Sequence, residues 1–249
     1  MTRLYRLLLL LGALSTNGAR AADVNVAVAA NFAAPMQAIA AILEKTTGHK
    51  ASIVSGATGR FYAQISNGAP FDVFLAADDE TPARLEKEGL AVAGSRFTYA
   101  RGKLVLWSAN PALVDAQGEV LRTGDFRKIA MAQPRVAPYG AAAMEVIGKI
   151  GLSERLTPRL VLGESLGQTF NFVATGNAEL GFVALSQVLE GGKLKNGSIW
   201  TIPSALYSPI VQDAVLLRRG KDNPAAAALL TLLKSEPIKG LIRSYGYEL

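Results

Sequence analysis

The stretch Val24–Ala34 reads V-N-V-A-V-A-A-N-F-A-A. Its alternating apolar run breaks at Ala29-Ala30-Asn31-Phe32, and a helical pattern starts at once behind it. A strand that delivers the chain straight to a helix leaves the first N–H groups of that helix unpaired and aimed at one spot, which suits an anion. The same junction recurs at Ser55-Gly56-Ala57-Thr58-Gly59, at Ala137-Pro138-Tyr139-Gly140 and at Gly163-Glu164-Ser165-Leu166. Four such junctions demand an architecture that gathers strand ends, because open α/β sheets bind ligands beyond the carboxyl ends of their strands. We expect all four to converge on one small oxyanion.

The rest of the chain follows the same rhythm. Met36, Ile39, Ala40, Ile42 and Leu43 place a helix over Pro35–Lys45, closed by Gly48. Strands over Ala51–Val54 and Phe71–Ala76 alternate with helices over Gly59–Ser66 and Thr81–Glu88. This β-α-β-α-β-α order predicts a parallel sheet with helices on both faces. A second series starts near Tyr99. It has strands over Lys103–Ser108, Ile129–Ala132, Leu160–Leu162, Glu179–Ala184 and Ser198–Ile202, and helices over Gly140–Ile150 and Gly167–Thr175. Pro209–Leu217 reads as one long strand, and helices over Pro224–Leu233 and Ile238–Ser244 follow. Boundaries near Phe97–Gly102 and Ser204–Gln212 predict two α/β lobes, residues 22–99 with 208–249 and residues 100–207. Two crossings between them imply a cleft and a hinge.

The amino terminus reads as a secretory signal peptide over residues 1–21. Arg3 and Arg6 precede the apolar Leu7–Leu11, and Ala19-Arg20-Ala21 offers a cleavage site at Ala21. The apolar run falls far short of the ~20 residues a membrane span needs. The expected mature protein is exported to the periplasm. It has no Cys, so it relies on its core and not on disulfides. Three of the 26 Lys+Arg lie in the signal, which leaves 23 against 20 Asp+Glu. A dispersed excess of that size does not argue for nucleic acid.

A fully ionised oxyanion needs donors without acceptors in a dry cleft. Asn31 offers an amide, Thr58 a hydroxyl and Tyr139 a phenol, while Ala30, Gly59 and Leu166 offer main-chain N–H groups. Each has an ordinary alternative: Asn31 and Thr58 as N-caps, Tyr139 as a turn aromatic beside Pro138, Leu166 as core. Arg60 reads as a solvated side chain or as a counter-charge to the anion. His49 is the only His and sits in the polar turn Gly48-His49-Lys50, so a surface position is expected. Asp78 and Asp79 lack the His, Cys or further carboxylates of a metal site. A Ser–His–Asp arrangement is available only through His49. The expectation is a binder without metal or cofactor; the alternative of another class is an exported hydrolase using His49 or Asp78.

At these residues the sequence resembles the periplasmic molybdate-binding proteins of ABC importers, the ModA family. The resemblance runs from Val24 to Tyr247 and is carried by Ala29–Phe32 (A-A-N-F), Ser55–Gly59 (S-G-A-T-G), Asn67–Asp78 (N-G-A-P-F-D-V-F-L-A-A-D), Ala137–Gly140 (A-P-Y-G), Gly176–Val183 (G-N-A-E-L-G-F-V) and Gln212–Leu217 (Q-D-A-V-L-L). It implies a bilobed class II-type periplasmic-binding fold, monomeric, that closes on molybdate or tungstate and delivers it to an ABC permease. It also implies that Asn31, Thr58, Tyr139 and the Leu166 N–H hold the anion. The chain departs from the family pattern at Ala30, where some members have threonine, and at Ala184, where one branch has tyrosine; Tyr139 supplies the phenol from another segment. Sulfate and phosphate are the alternative ligands.

Overall fold

The structure is a computed structural model and describes residues 21–249. Apart from Ala21, the signal peptide lies outside the described residues. The chain enters through β1 (Asp23–Ala29), makes a 3-10 turn (Ala30–Phe32), and continues as α1 (Ala33–Thr47), β2 (Lys50–Gly56), α2 (Thr58–Ser66), β3 (Val73–Leu75), α3 (Glu80–Lys87) and β4 (Phe97–Gly102). It crosses into a second half through β5 (Leu104–Ser108), α4 (Val120–Thr123), β6 (Ile129–Ala132), α5 (Pro138–Lys149), α6 (Ser153–Leu156), β7 (Leu160–Gly163), α7 (Leu166–Ala174) and β8 (Leu180–Ala184). There follow α8 (Leu185–Val188), the hairpin strands β9 (Leu189–Glu190) and β10 (Lys193–Leu194), and β11 (Ser198–Thr201). The chain then returns through β12 (Ile210–Leu216), α9 (Pro224–Leu233) and α10 (Glu236–Ser244).

Two five-stranded sheets result, ordered β2-β1-β3-β12-β4 and β11-β5-β8-β6-β7. Their helices make this a bilobed α/β protein. β1 is buried on both faces: Val24, Val26 and Val28 pack under α1 and α9, and Ala27 packs with Phe61 of α2 and Phe74 of β3. That explains its near-continuous small and branched apolar side chains. α1 ends where expected, at Gly48, whose left-handed φ of 76° lets its N–H reach the Glu44 carbonyl.

Three expectations change. The sheets are mixed, not parallel. β12 runs antiparallel to β3 and β4 because it re-enters from the other half, and β5 runs antiparallel to both β8 and β11. Phe97–Gly102, read as a boundary, is an edge strand whose polar Thr98 and Arg101 hide its periodicity; it pairs with β12 as far as Gly102 and Ile210. His49 is buried: its Nδ1 accepts the Ala22 N–H at 3.1 Å, tying the start of β1 to the end of α1.

One apolar cluster runs across the lobe boundary. It joins Ala29 and Ala77 of the first half to Ala137, Tyr139 and Leu166 of the second. The two halves are therefore closed on each other at the ends of β1, β3, β6 and β7.

Candidate anion site

The four strand-to-helix junctions do meet. A single small cavity is lined by residues 29–31, 56–58 and 77 of the first half and by residues 137–139 and 166 of the second. It is small, with room for about one water molecule in this closed arrangement. Asn31, Thr58, Tyr139, Leu166 and Ala30 all line it; Gly59 does not.

Each junction presents the start of a helix. Ala30 and Asn31 open the 3-10 turn, Thr58 is the first residue of α2, and Leu166 is the first of α7 behind its N-cap Ser165. Pro138 occupies the first position of α5, where its missing N–H costs nothing, and Tyr139 follows. First-turn N–H groups have no acceptor within their own helix, and the positive ends of the helix dipoles add to them.

The hydroxyls are set by their partners. Thr58 Oγ1 accepts the Ala77 N–H at 3.0 Å, and the Tyr139 phenol oxygen accepts from Gln212 Nε2 at 3.2 Å. A hydroxyl whose oxygen already accepts a fixed donor keeps its own proton to give. Both residues line the cavity with that proton still to give. Burial pushes the phenols of Tyr139, Tyr99 and Tyr247 above the usual tyrosine value, so all three stay protonated.

Asn31 behaves differently from its reading as an amide donor. Its Nδ2 donates to Gln212 Oε1 at 2.7 Å and to the Tyr247 hydroxyl at 3.0 Å, which uses both hydrogens. Its main-chain carbonyl accepts from the Ser186 and Tyr247 hydroxyls, both at 2.8 Å. What Asn31 offers the cavity is its main-chain N–H, beside that of Ala30. Gly59 needs a correction. Its N–H is given to the Val136 carbonyl at 2.9 Å, because α2 abuts the loop before α5 when the halves meet. Arg60 is neither free nor aimed at the anion: it pairs with Glu164 across the mouth of the cleft at 2.9 Å, both side chains half exposed.

Gln212, Tyr99, Tyr247 and Ser186 form a buried polar web behind the cavity that sequence reading missed. The signal for it was in plain view: the adjacent polar pair Gln212-Asp213 inside the apolar strand P-I-V-Q-D-A-V-L-L needs buried partners. Asp213 finds them in Arg96 and Thr98. Ala184, where a tyrosine was a family option, is a buried residue at the end of β8.

Two wider grooves flank the small cavity. One carries Asp78, Asp79, Glu80 and Glu145, the other Arg60 and Glu164. In the first groove the carboxylates outnumber Arg135, and in the second Arg60 is already paired with Glu164, so size does not make either the better candidate. Asp78 accepts from the Thr81 N–H and hydroxyl, and burial holds its carboxyl above the usual range. Among the described residues no group of His, Cys, Asp and Glu is arranged to hold a metal ion.

Comparisons with known proteins bear on the family and the fold. The family model for bacterial extracellular solute-binding proteins matches residues 24–248. The chain is 60 % identical over 247 residues to the molybdate-binding protein ModA of Azotobacter vinelandii, spanning 99 % of this chain and 98 % of that one. It is 53 % identical over 229 residues to the ModA protein of Rhodobacter capsulatus, spanning 92 % and 89 %. The solved periplasmic molybdate-binding protein of Azotobacter vinelandii superposes with a TM-score of 0.88 at 43 % identity, covering 91 % of this chain and 99 % of its own.

Proposed function

This chain belongs to the bacterial extracellular solute-binding proteins, among their ModA members, and from that premise we propose that it captures molybdate between its lobes. It is a binding protein and not an enzyme. Tungstate, of the same charge and shape, binds the same site. The closed, loaded form is recognised in the periplasm by the membrane permease of an ABC importer, with the binding protein acting as a monomer. The first lobe is residues 22–102 with 208–249, since its edge strand β4 runs to Gly102, and the second is residues 103–207.

The Thr58 and Tyr139 hydroxyls and the main-chain N–H groups of Ala30, Asn31 and Leu166 hold the anion. The observation that carries this reading is the state of the two lining hydroxyls: each already accepts a fixed N–H and keeps its own proton to give to a solute. A dianion with four acceptor oxygens is the matching solute. Hydrogenphosphate carries a proton that needs an acceptor, and Glu164, the one carboxylate within the four junction segments, is engaged by Arg60 outside the cavity.

Sulfate is the competing reading, because it shares charge and shape and differs in size. A preorganised ring of donors discriminates by fit, since it cannot shrink without strain. Calorimetric titration with molybdate, tungstate, sulfate and phosphate in turn is the test. Molybdate and tungstate are expected to bind at least about a hundredfold tighter than sulfate, with phosphate weaker still. Equal affinity for sulfate and molybdate sinks the molybdate reading in favour of a general oxyanion binder.

A further inference from the structure

We infer that Gln212 is a positioning residue for the anion: its side-chain amide fixes the direction of the Tyr139 hydrogen bond and so leaves the phenol proton for the ligand. The inference rests on the oxyanion reading above. Gln212 lies fully buried on β12, at the register shift of that strand against β4, and does not itself line the cavity. Its Oε1 accepts from Asn31 Nδ2 at 2.7 Å and shares the Tyr99 hydroxyl proton, at 2.9 Å, with the Ala76 carbonyl at 2.8 Å. With the oxygen pinned, the amide nitrogen is turned toward Tyr139, whose phenol oxygen it reaches at 3.2 Å.

The consequence follows from counting protons. Tyr139 has one, and Gln212, the side chain hydrogen-bonded to its oxygen, faces it with N–H and not with an acceptor. The opposite amide orientation would accept the phenol proton and present an oxygen lone pair to the ligand. The contact with a dianion would then change from attractive to repulsive. Gln212 stands on the strand that returns to the first lobe and Tyr139 on α5 of the second, so one side chain both joins the halves and sets the sign of that contact.

A double-mutant cycle tests this, with sodium molybdate titrated into wild type, Gln212→Met, Tyr139→Phe and the double variant. The quantity read is the affinity loss caused by Gln212→Met in wild type divided by its loss in the Tyr139→Phe background. Gln212→Met is expected to weaken molybdate by about tenfold, and the ratio to be about fivefold or more, because the residue acts through the phenol. A ratio near one overturns the inference and makes Gln212 a packing residue. So does unchanged or tighter binding in Gln212→Met, which means that Gln212 takes the phenol proton.

Methionine leaves Asn31 without its Gln212 acceptor, while Tyr99 keeps the Ala76 carbonyl, so Gln212→Glu is run through the same cycle. Its carboxylate keeps both donors satisfied but accepts the phenol proton, and any direct repulsion of the anion cancels in the ratio. A high ratio again supports the inference and a ratio near one overturns it. Molybdate binding by wild type with a ratio near one removes the role of Gln212 alone. Absence of molybdate binding by wild type removes the oxyanion reading and this inference with it.

Discussion

Tyr139 shows what can and cannot be read from residue types. Its place after Pro138 at a helix start was legible, as were Thr58 and Leu166 at theirs, because strand-to-helix junctions leave marks in sequence. What each side chain donates was not legible, because that depends on partners far along the chain: Gln212 for Tyr139, Ala77 for Thr58. Gly102 is another case. A Cβ there would collide with the Tyr139 hydroxyl and with Gln212 Nε2, so the glycine is required by a side chain 37 positions away. Tyr139→Phe keeps the ring and removes a bond to a charged group, worth roughly 1.5–3 kcal/mol. Molybdate binding should weaken about ten- to a hundredfold. The substitution also strands the buried Gln212 amide, so the unliganded protein should melt a few degrees lower. Calorimetry and a thermal melt on the one variant read both effects. Unchanged affinity with a lowered melting temperature would leave Tyr139 a structural tyrosine.

At the level of elements, the helix periods and the buried strands were legible because apolar spacing decides them. β4 was not, since an edge strand with one polar face and no tight turn beside it has little periodicity to read. The direction of β12 was not either, because it depends on where the chain comes back from. α7 offers the sharpest test of an element's contribution. Its first residue, Leu166, faces the cavity, and Ser165 before it is extended with φ −149° and ψ 166°. Extended geometry is what a residue before proline requires, and the first helical position is where proline is best tolerated. Leu166→Pro therefore removes the N–H while leaving the helix able to form. Leu166→Val retains the N–H and controls for lost packing of this buried side chain. We expect the proline variant to bind molybdate at least about tenfold more weakly than the valine variant, at similar helix content by circular dichroism. Equal affinities would mean that the main-chain N–H of Leu166 does not reach the anion.

For the whole molecule, the same buried web couples stability and closure to the site. Tyr99, Tyr139 and Tyr247 have their phenol pKa values raised by burial, so the folded protein keeps protons that the unfolded chain releases near pH 10. Groups raised in this way support the fold fully below the unfolded value, and that support is lost as pH climbs toward the folded value. Urea midpoints should hold between about pH 7 and 9 and fall steadily above about pH 10. A midpoint indifferent to that upper range would show the phenols to be less buried than they stand here. Closure itself hangs on contacts between the lobes of unequal worth. The Arg60–Glu164 pair is half exposed, and pairs of that kind contribute about 0–1 kcal/mol. Gly59 is more exacting: a Cβ there would lie 3.0 Å from Val136 Cα, main chain with nowhere to retreat while the halves are together. Gly59→Val adds two further carbons at that contact and wedges α2 away from the loop before α5, without touching either lobe's own core. Since only the closed form brings the Thr58 and Tyr139 donors to one point, the apparent affinity falls by the fraction of molecules still able to close. Molybdate should bind about tenfold or more weakly to Gly59→Val, and the molybdate-induced compaction seen by small-angle scattering should shrink. Arg60→Ala should cost less than about fivefold. If Gly59→Val closed and bound like wild type while Arg60→Ala did not, the surface ion pair and not the close main-chain approach would be what brings the lobes together.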